Sequence, residues 1–367
     1  MPGQKIDMGQ AKQKYVFVGD GESVHLLKWL KEMRKYFQVF VISSRGFLSE
    51  IEALIPQSQL FALGVDVKQE GLSLGYLSKI LRVKHILKEI KPDFVNAHYI
   101  SSNGLLVTLG TPFSKPSYTF IASAWGTDVL VFPWKNKVFF TAMTFVLKRA
   151  DWITSDSDYM SSVIRKIRDK KVLTFTFGLD SLPTYDDGQY DEHLYFSNRA
   201  LSKNYHIDRV IRVFYSIYQQ DPLARLIISN VGDEKEELMR LCEELNITKA
   251  VSFVGFLNAV EQAEIYKKSC CYFSLPSSDS TSVSLLEALA YGCLPLLSDI
   301  PANREWIKDS ENGLLIGSDI SYSKLQKLQE KRKDIVQANR KIIKKRAIFP
   351  DLISTFVHQI LSKQTHS

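Results

Sequence analysis

The sequence predicts an α/β protein of two Rossmann-like domains built on parallel sheets, and three observations carry that prediction. The chain has 367 residues, about twice a common domain length. Short apolar runs alternate with stretches of helical period, the pattern of parallel strands covered by helices on both faces. The pattern stops at Ser181–His193, where proline, glycine and charges cluster, and then starts again.

The elements follow in order. Tyr15–Asp20 reads as the first strand, followed by a glycine loop, the helical stretch ESVHLLKWLKEMRKYF and a second strand at Gln38–Ser44. Phe94–Tyr99, Ser117–Trp125, Trp152–Ser157 and Val172–Gly178 continue the first series. His193–Asn198 opens the second series, with Ala224–Gly232, VSFVGF (Val251–Phe256), CCYFSLP and LPLLSD as later strands. The basic run KLQKLQEKRKDIVQANRKIIKKRA reads as one long helix, and Leu352–Leu361 as a final apolar one. The expected division is a tail at 1–14, a first domain at 15–182, a second at 190–345, and a segment at 346–367 that crosses back to the first.

Composition places the chain among folded globular proteins: 45% of residues are hydrophobic and 24% charged. Cys242, Cys270, Cys271 and Cys293 have no metal-ligand spacing and are expected to be reduced core residues. The polar N-terminus MPGQKIDMGQAKQK does not read as a secretory signal, so a cytoplasmic location is expected. Apolar runs fall well short of the roughly 20 residues of a membrane span. The net charge of +7 suits an anionic partner. No basic-aromatic motif points to nucleic acid, so a nucleoside diphosphate or an anionic membrane face fits better. The helix HLLKWLKEMRKYF, with Trp29 among basic residues, could lie against such a membrane; an ordinary core helix with a solvated basic face is the alternative.

The most informative stretch is Pro276–Leu315. A strand ends at Leu275, and a loop of serines and a threonine leads into a helix holding Glu287. Small residues let backbone N–H groups approach a ligand, and the helix N-terminus favours an anion there. Glu287, two turns along, could accept hydrogen bonds from ribose hydroxyls; a solvated glutamate on a capped surface helix is the alternative.

This stretch resembles the acid-x7-Glu motif of the family 4 glycosyltransferases, which have the GT-B fold: two Rossmann-like domains whose parallel sheets face across a cleft. Asp279 and Glu287 match the acids, followed by Ala288, Gly292 and Pro295, and then Asn303, Glu305, Asn312 and Gly313. The resemblance implies that Asp279 contacts the donor sugar and Glu287 the ribose. The intervening Ser280, Thr281, Ser282 and Val283 would face the diphosphate and sugar. Asp279 stands where the family has Glu, and Ser280 where it has Gly. In Phe196–Ile211, Arg199 matches the family's phosphate-binding arginine and Lys203 its lysine, with Tyr205 a rival in the alignment. Val254, Gly255 and Phe256 resemble the segment whose backbone reads the base.

In the first domain the resemblance places Gly19, Asp20, Gly21 and His25 of the loop Val18–Leu30 at the cleft, the glycines toward the donor and Asp20 and His25 toward the acceptor. The loop is not GxGxxG, so a dinucleotide fingerprint fits poorly. His98 ends a strand like the family's cleft-facing one, though a lone histidine is as readily a packed residue. Trp125 replaces a histidine common in the family, as in a bacterial subgroup carrying Trp-Gly-Ser/Thr-Asp. It could stack on a sugar but not exchange a proton, which leaves Asp128 as the ionisable candidate on the acceptor side.

The function implied is a retaining, metal-independent transfer of a hexose-type sugar with no cofactor. The donor, UDP- or GDP-linked, is a substrate, and the acceptor a glycan or lipid-linked glycan in bacterial surface polysaccharide (O-antigen, capsule) synthesis. Arg199 and Lys203 would steady the leaving diphosphate, while Asp128 and His98 attend the acceptor. The rivals are a sugar-nucleotide epimerase and a GT-B partner subunit without activity.

Overall fold

The computed structural model of the chain describes residues 12–65, 75, 78–111, 116–186, 188, 190–317 and 319–362. Most of the expected tail and the last five residues lie outside the described residues. Two compact units emerge, one of the described residues up to Thr174 and from Ile353 onward, the other Phe175–Leu352.

The first unit is built on seven strands: β1 (Lys14–Gly19), β2 (Gln38–Ser43), β3 (Leu60–Ala62), β4 (Phe94–His98), β5 (Thr119–Ser123), β6 (Trp152–Ser155) and β7 (Val172–Thr174), in the order β3-β2-β1-β4-β5-β6-β7. The second has six: β8 (Asp191–Ser197), β9 (Arg225–Ser229), β10 (Val251–Gly255), β11 (Ser269–Ser274), β12 (Leu294–Ser298) and β13 (Leu314–Ile316), in the order β10-β9-β8-β11-β12-β13. The pairings are parallel in both sheets. Both are doubly wound. Each reverses its strand order once, between β1 and β4 and between β8 and β11. Such a reversal opens a crevice at the carboxyl ends of its two strands.

The two-period repeat is weak in these strands because helices bury both faces, as the uninterrupted burial of Phe94–His98, Ser269–Ser274 and Leu294–Ser298 shows. One face of the first sheet packs Val16, Val18, Val95, Ala97 and Ala122 against the helices Ile80–Ile90 and Lys137–Arg149. A polar chain is sealed inside: Thr154 donates to Ser123 at 2.8 Å, Ser123 to Asn96 at 2.7 Å, and Asn96 to the Tyr15 hydroxyl at 2.9 Å. It ties β6, β5, β4 and β1 together, and truncating a member would leave a buried polar atom unpaired.

Four readings change. The helix Val24–Met33 buries Leu26, Leu27, Trp29, Leu30 and Met33, and Trp29 lies edge-on to Phe356 at 5.8 Å. Trp29 therefore anchors a core helix and is not available to a membrane. The basic run divides into Tyr322–Glu330 and Arg332–Arg346, broken at Lys331. Residues from Phe175 on pack with the second unit: Arg340 donates to Pro183 O at 2.9 Å and lies over Tyr185, and Leu179 N bonds Ala347 O at 2.7 Å. The short edge strands β3 and β13 are additions. The four cysteines are free and buried as expected.

Candidate functional site

Strand β8 ends at Ser197 and hands the chain to Asn198 and Arg199 beside the carboxyl end of β11, at the point where the second sheet reverses. From β11 a loop of small residues leads into the helix Val283–Ala290, whose N-cap Ser282 accepts from Leu285 N. Arg199, 8% exposed, spans the crevice. Its guanidinium donates to Asp279 Oδ2 at 2.7 Å and to Ser282 Oγ, and lies 4.3 Å over the Tyr205 ring. Burial works against its charge, but Asp279, Tyr272 and Tyr205 more than offset that, so its pKa lies above the ordinary arginine value. Burial pushes the Asp279 carboxyl above its ordinary value, and Arg199 and the Ser280 amide pull it part of the way back.

The loops carrying these groups are stitched together. Ser277 N donates to Asn204 O at 2.9 Å, and the Asn204 amide returns a bond to Ser278 O at 3.1 Å. Ser280, Thr281 and Ser282 are buried in the crevice wall. Glu287, half-buried, accepts from the Tyr266 hydroxyl at 3.3 Å. Asn198 extends this support, donating to Tyr266 at 2.8 Å and accepting from Tyr272 at 2.8 Å. A single polar network thus runs from β11 to Glu287.

Arg199, Asp279 and Ser282 meet directly, and Glu287 lies farther along the helix that Ser282 caps, held by Tyr266. Lys203 does not join the Arg199 pair: it is exposed and lines a separate cavity of about 690 Å³ with Glu234, His206 and Arg212. The alignment rival Tyr205 is the residue in contact with Arg199. Gly255, at φ +75°, ends the edge strand β10, with Val254 and Phe256 exposed beside it. The downstream motif residues do structural work. Gly313 lies so close to Pro295 that a Cβ there would fall 2.5 Å from the proline ring, and Gly292 has φ +89°. Asn312 bonds Trp306 O at 3.0 Å and Asn339 at 2.7 Å, and Asn303 bonds Ser298 O at 2.8 Å.

In the first unit, Gly19 ends β1 next to His98, which ends β4. His98 is buried among Phe17, Trp29 and Trp125, with ring centroids at 5.2, 5.4 and 5.1 Å. Burial, with repulsion from His25 adding to it, holds its pKa down at about 3, so it is neutral near pH 7. Its Nε2 has no hydrogen-bond partner among the described residues. His98 therefore offers an imidazole, not a charge.

Trp125 is half-buried, and its ring is already in company: Tyr99 stacks on it at 5.9 Å, and His25 packs at 5.4 Å. The open sugar platform expected at Trp125 is thus largely covered. Lost hydration, then Lys28, keeps the His25 pKa below its ordinary value. Tyr99 itself sits at φ 70°, strained for so bulky a residue, and opens the π-helical turn Ile100–Gly104.

Asp128 is 0% exposed. Its carboxylate accepts from Ile100 N at 2.7 Å and Trp125 N at 2.9 Å, joining the loops after β4 and β5. Burial raises its pKa to about 6, with the backbone amides pulling the other way. In this arrangement both carboxylate oxygens of Asp128 are engaged by backbone amides of the two loops.

Asp20 is held by Arg45, whose guanidinium lies 2.5 Å away. Gly21 is required by the chain itself, because a Cβ there would lie 2.4 Å from Gly46 O and 2.5 Å from the Phe47 ring. Gly21→Ala is expected to lower the unfolding temperature at a cost of about 1–3 kcal/mol. Gly19→Ala, whose new Cβ would meet His98 Cβ at an ordinary 3.6 Å, should change little. Equal melting of the two variants would contradict this reading.

Residues 14–157 match the family model described as Glycosyl transferase 4-like, and residues 189–345 that of Glycosyl transferases group 1. The GtfA subunit of a UDP-N-acetylglucosamine–peptide N-acetylglucosaminyltransferase from Streptococcus pneumoniae is 29% identical over 151 residues, 40% of this chain and 29% of that protein. The N-acetylgalactosamine-N,N'-diacetylbacillosaminyl-diphospho-undecaprenol 4-alpha-N-acetylgalactosaminyltransferase of Campylobacter jejuni is 33% identical over 112 residues, 30% of each chain. The similarity thus spans under a third of the length of these two relatives. Among solved structures, Anabaena HepE in complex with UDP superposes with a TM-score of 0.75 at 14% identity, covering 95% of this chain and all of that one. At that identity the superposition speaks for the fold.

Proposed function

From the premise that the chain belongs to the GT-B glycosyltransferases of the family 4 kind, we propose that it moves a hexose-type sugar from a UDP- or GDP-linked donor to a glycan or lipid-linked glycan, with retention of configuration. The observation that carries this reading is Arg199, a buried cation at the switch point of the second sheet, aimed at the N-terminus of the helix Val283–Ala290.

A donor diphosphate would meet Arg199 and the free N–H groups of that helix, where its negative charge is stabilised. Glu287, held by Tyr266, would accept from the ribose hydroxyls. As the sugar leaves, charge grows on the diphosphate, and a fixed cation in a dry crevice stabilises that charge most where it develops. The acceptor hydroxyl forms its bond to the anomeric carbon on the face from which the phosphate oxygen departs. Its proton passes to that phosphate oxygen. The protein then supplies orientation and charge stabilisation without a strong base. A neutral His98, a buried Asp128 and a tryptophan at 125, as in the Trp-Gly-Ser/Thr-Asp subgroup, are compatible with such a transfer. The setting we assign is bacterial surface polysaccharide synthesis at the cytoplasmic face of the membrane, in keeping with the undecaprenol-linked substrate in the name of the Campylobacter relative.

The test is incubation with a panel of UDP- and GDP-sugars, reading slow donor hydrolysis and the anomeric configuration of the released sugar. Turnover of one donor with retention is expected. In the same assay Glu287→Ala should weaken donor binding about 10- to 100-fold, the loss of a hydrogen bond to a charged group. Unchanged affinity would remove Glu287 from the site, and absence of any nucleotide binding would favour a partner subunit without activity.

A further inference from the structure

Between Asp128 and Asp151 the chain has no aspartate or glutamate. The short helices Thr127–Leu130 and Phe132–Lys135 and the start of Lys137–Arg149 leave two large apolar side chains in water, Trp134 at 59% exposure and Val138 at 71%. Phe132 and Phe139, half-buried, have ring centroids 6.4 Å apart, and Trp134 packs against Phe140 at 5.7 Å. Lys135 and Lys137 are exposed on either side of Asn136, and the Lys135 ammonium lies 5.1 Å over the Phe132 ring. The turn is rigidly set, because the Asn136 side chain accepts from Val138 N and Phe139 N, both at 3.0 Å.

We propose that this face docks on a lipid bilayer carrying acidic headgroups, with Trp134 and Val138 entering the headgroup layer and Lys135 and Lys137 pairing with lipid phosphates. The Trp134 indole N–H already donates to Val129 O at 3.1 Å, so what the ring shows to solvent is apolar and needs no water. Exposed apolar side chains flanked by two exposed lysines, in a stretch without an acid, have the composition of an interfacial anchor. A second copy of this chain is a poorer occupant, since a two-fold contact through this patch would set lysines against lysines. The docking adds a lipid surface to the proposed function and is tested separately from it, because none of these residues belongs to the Arg199 crevice.

The experiment is flotation of the whole chain with phosphatidylcholine vesicles with and without phosphatidylglycerol, at low and moderate salt, together with tryptophan emission. Binding that needs phosphatidylglycerol, weakens with salt and shifts the emission to the blue is expected. Each lysine near an acidic surface is worth about fivefold in affinity, so Lys135→Glu with Lys137→Glu should weaken binding by about 30-fold or more. Trp134→Ser should lose the blue shift, and donor hydrolysis should be retained by all three substitutions. Equal binding to neutral vesicles, no binding at low salt, unaffected variants, or self-association abolished by the same substitutions would each overturn the proposal.

Discussion

Arg199→Ala is expected to lower kcat by about 100- to 1,000-fold, the usual loss when one fixed donor to developing charge is removed. The substitution does two things. It takes the cation from the crevice, and it leaves Asp279, whose carboxylate now lies 2.7 Å from the guanidinium, without its buried partner. Stability should therefore fall as well, by about 3–5 kcal/mol if Asp279 stays ionised. Burial already raises the Asp279 pKa, so protonation will recover part of that loss. Pairing Arg199→Ala with Asp279→Asn separates the effects: unfolding measurements should show stability returning while kcat stays low. If kcat returns with stability, Arg199 serves the fold alone.

The second large effect concerns Asp128. Asp128→Ala removes hydrogen bonds from Ile100 N and Trp125 N, each worth about 1.5 kcal/mol or more when the acceptor is charged, so a loss of about 3 kcal/mol or more is expected. Its pH dependence has a definite sign. The folded pKa, about 6, lies above the ordinary 3.8, so between these values the native state holds more protons than the unfolded one. Stability is then fullest below about pH 4 and is lost as pH rises through about 6. Urea unfolding of the wild type and Asp128→Asn across this range should show the wild type gaining relative stability on acidification. The opposite slope would mean that the backbone amides outweigh burial.

These two residues also show what could be read from the sequence. Strands buried on both faces leave continuous apolar runs, so β1, β2, β4 and β11 were legible within a residue or two of their ends. Strands β3 and β13 are three residues long at sheet edges and carry no period. The break at Lys331 falls among good helix formers, with neither glycine nor proline to announce it. Proline and glycine did mark irregular chain before β8, but nothing local tells that Pro183 is held by Arg340, 157 positions away. In the candidate site, Arg199, Ser282 and Glu287 were legible because strand ends and helix starts place them. Their partners were not. The resemblance gave Asp279 a sugar contact but not its ion pair with Arg199, 80 positions away, and the sequence left Asp128 as an ionisable candidate without showing the Ile100 amide, 28 positions away. Asn198, Asn204 and Tyr266 support the crevice through contacts that no local pattern encodes.

The account rests on the crevice at Arg199 as the nucleotide site, and the 690 Å³ cavity beside Lys203 is the competing location. Calorimetric titration of UDP and GDP into the wild type, Arg199→Ala and Arg212→Ala decides between them. One of the two nucleotides should bind the wild type with one site per chain, lose its binding in Arg199→Ala, and keep it in Arg212→Ala. Binding that survives Arg199→Ala but is lost with Arg212 would contradict the account.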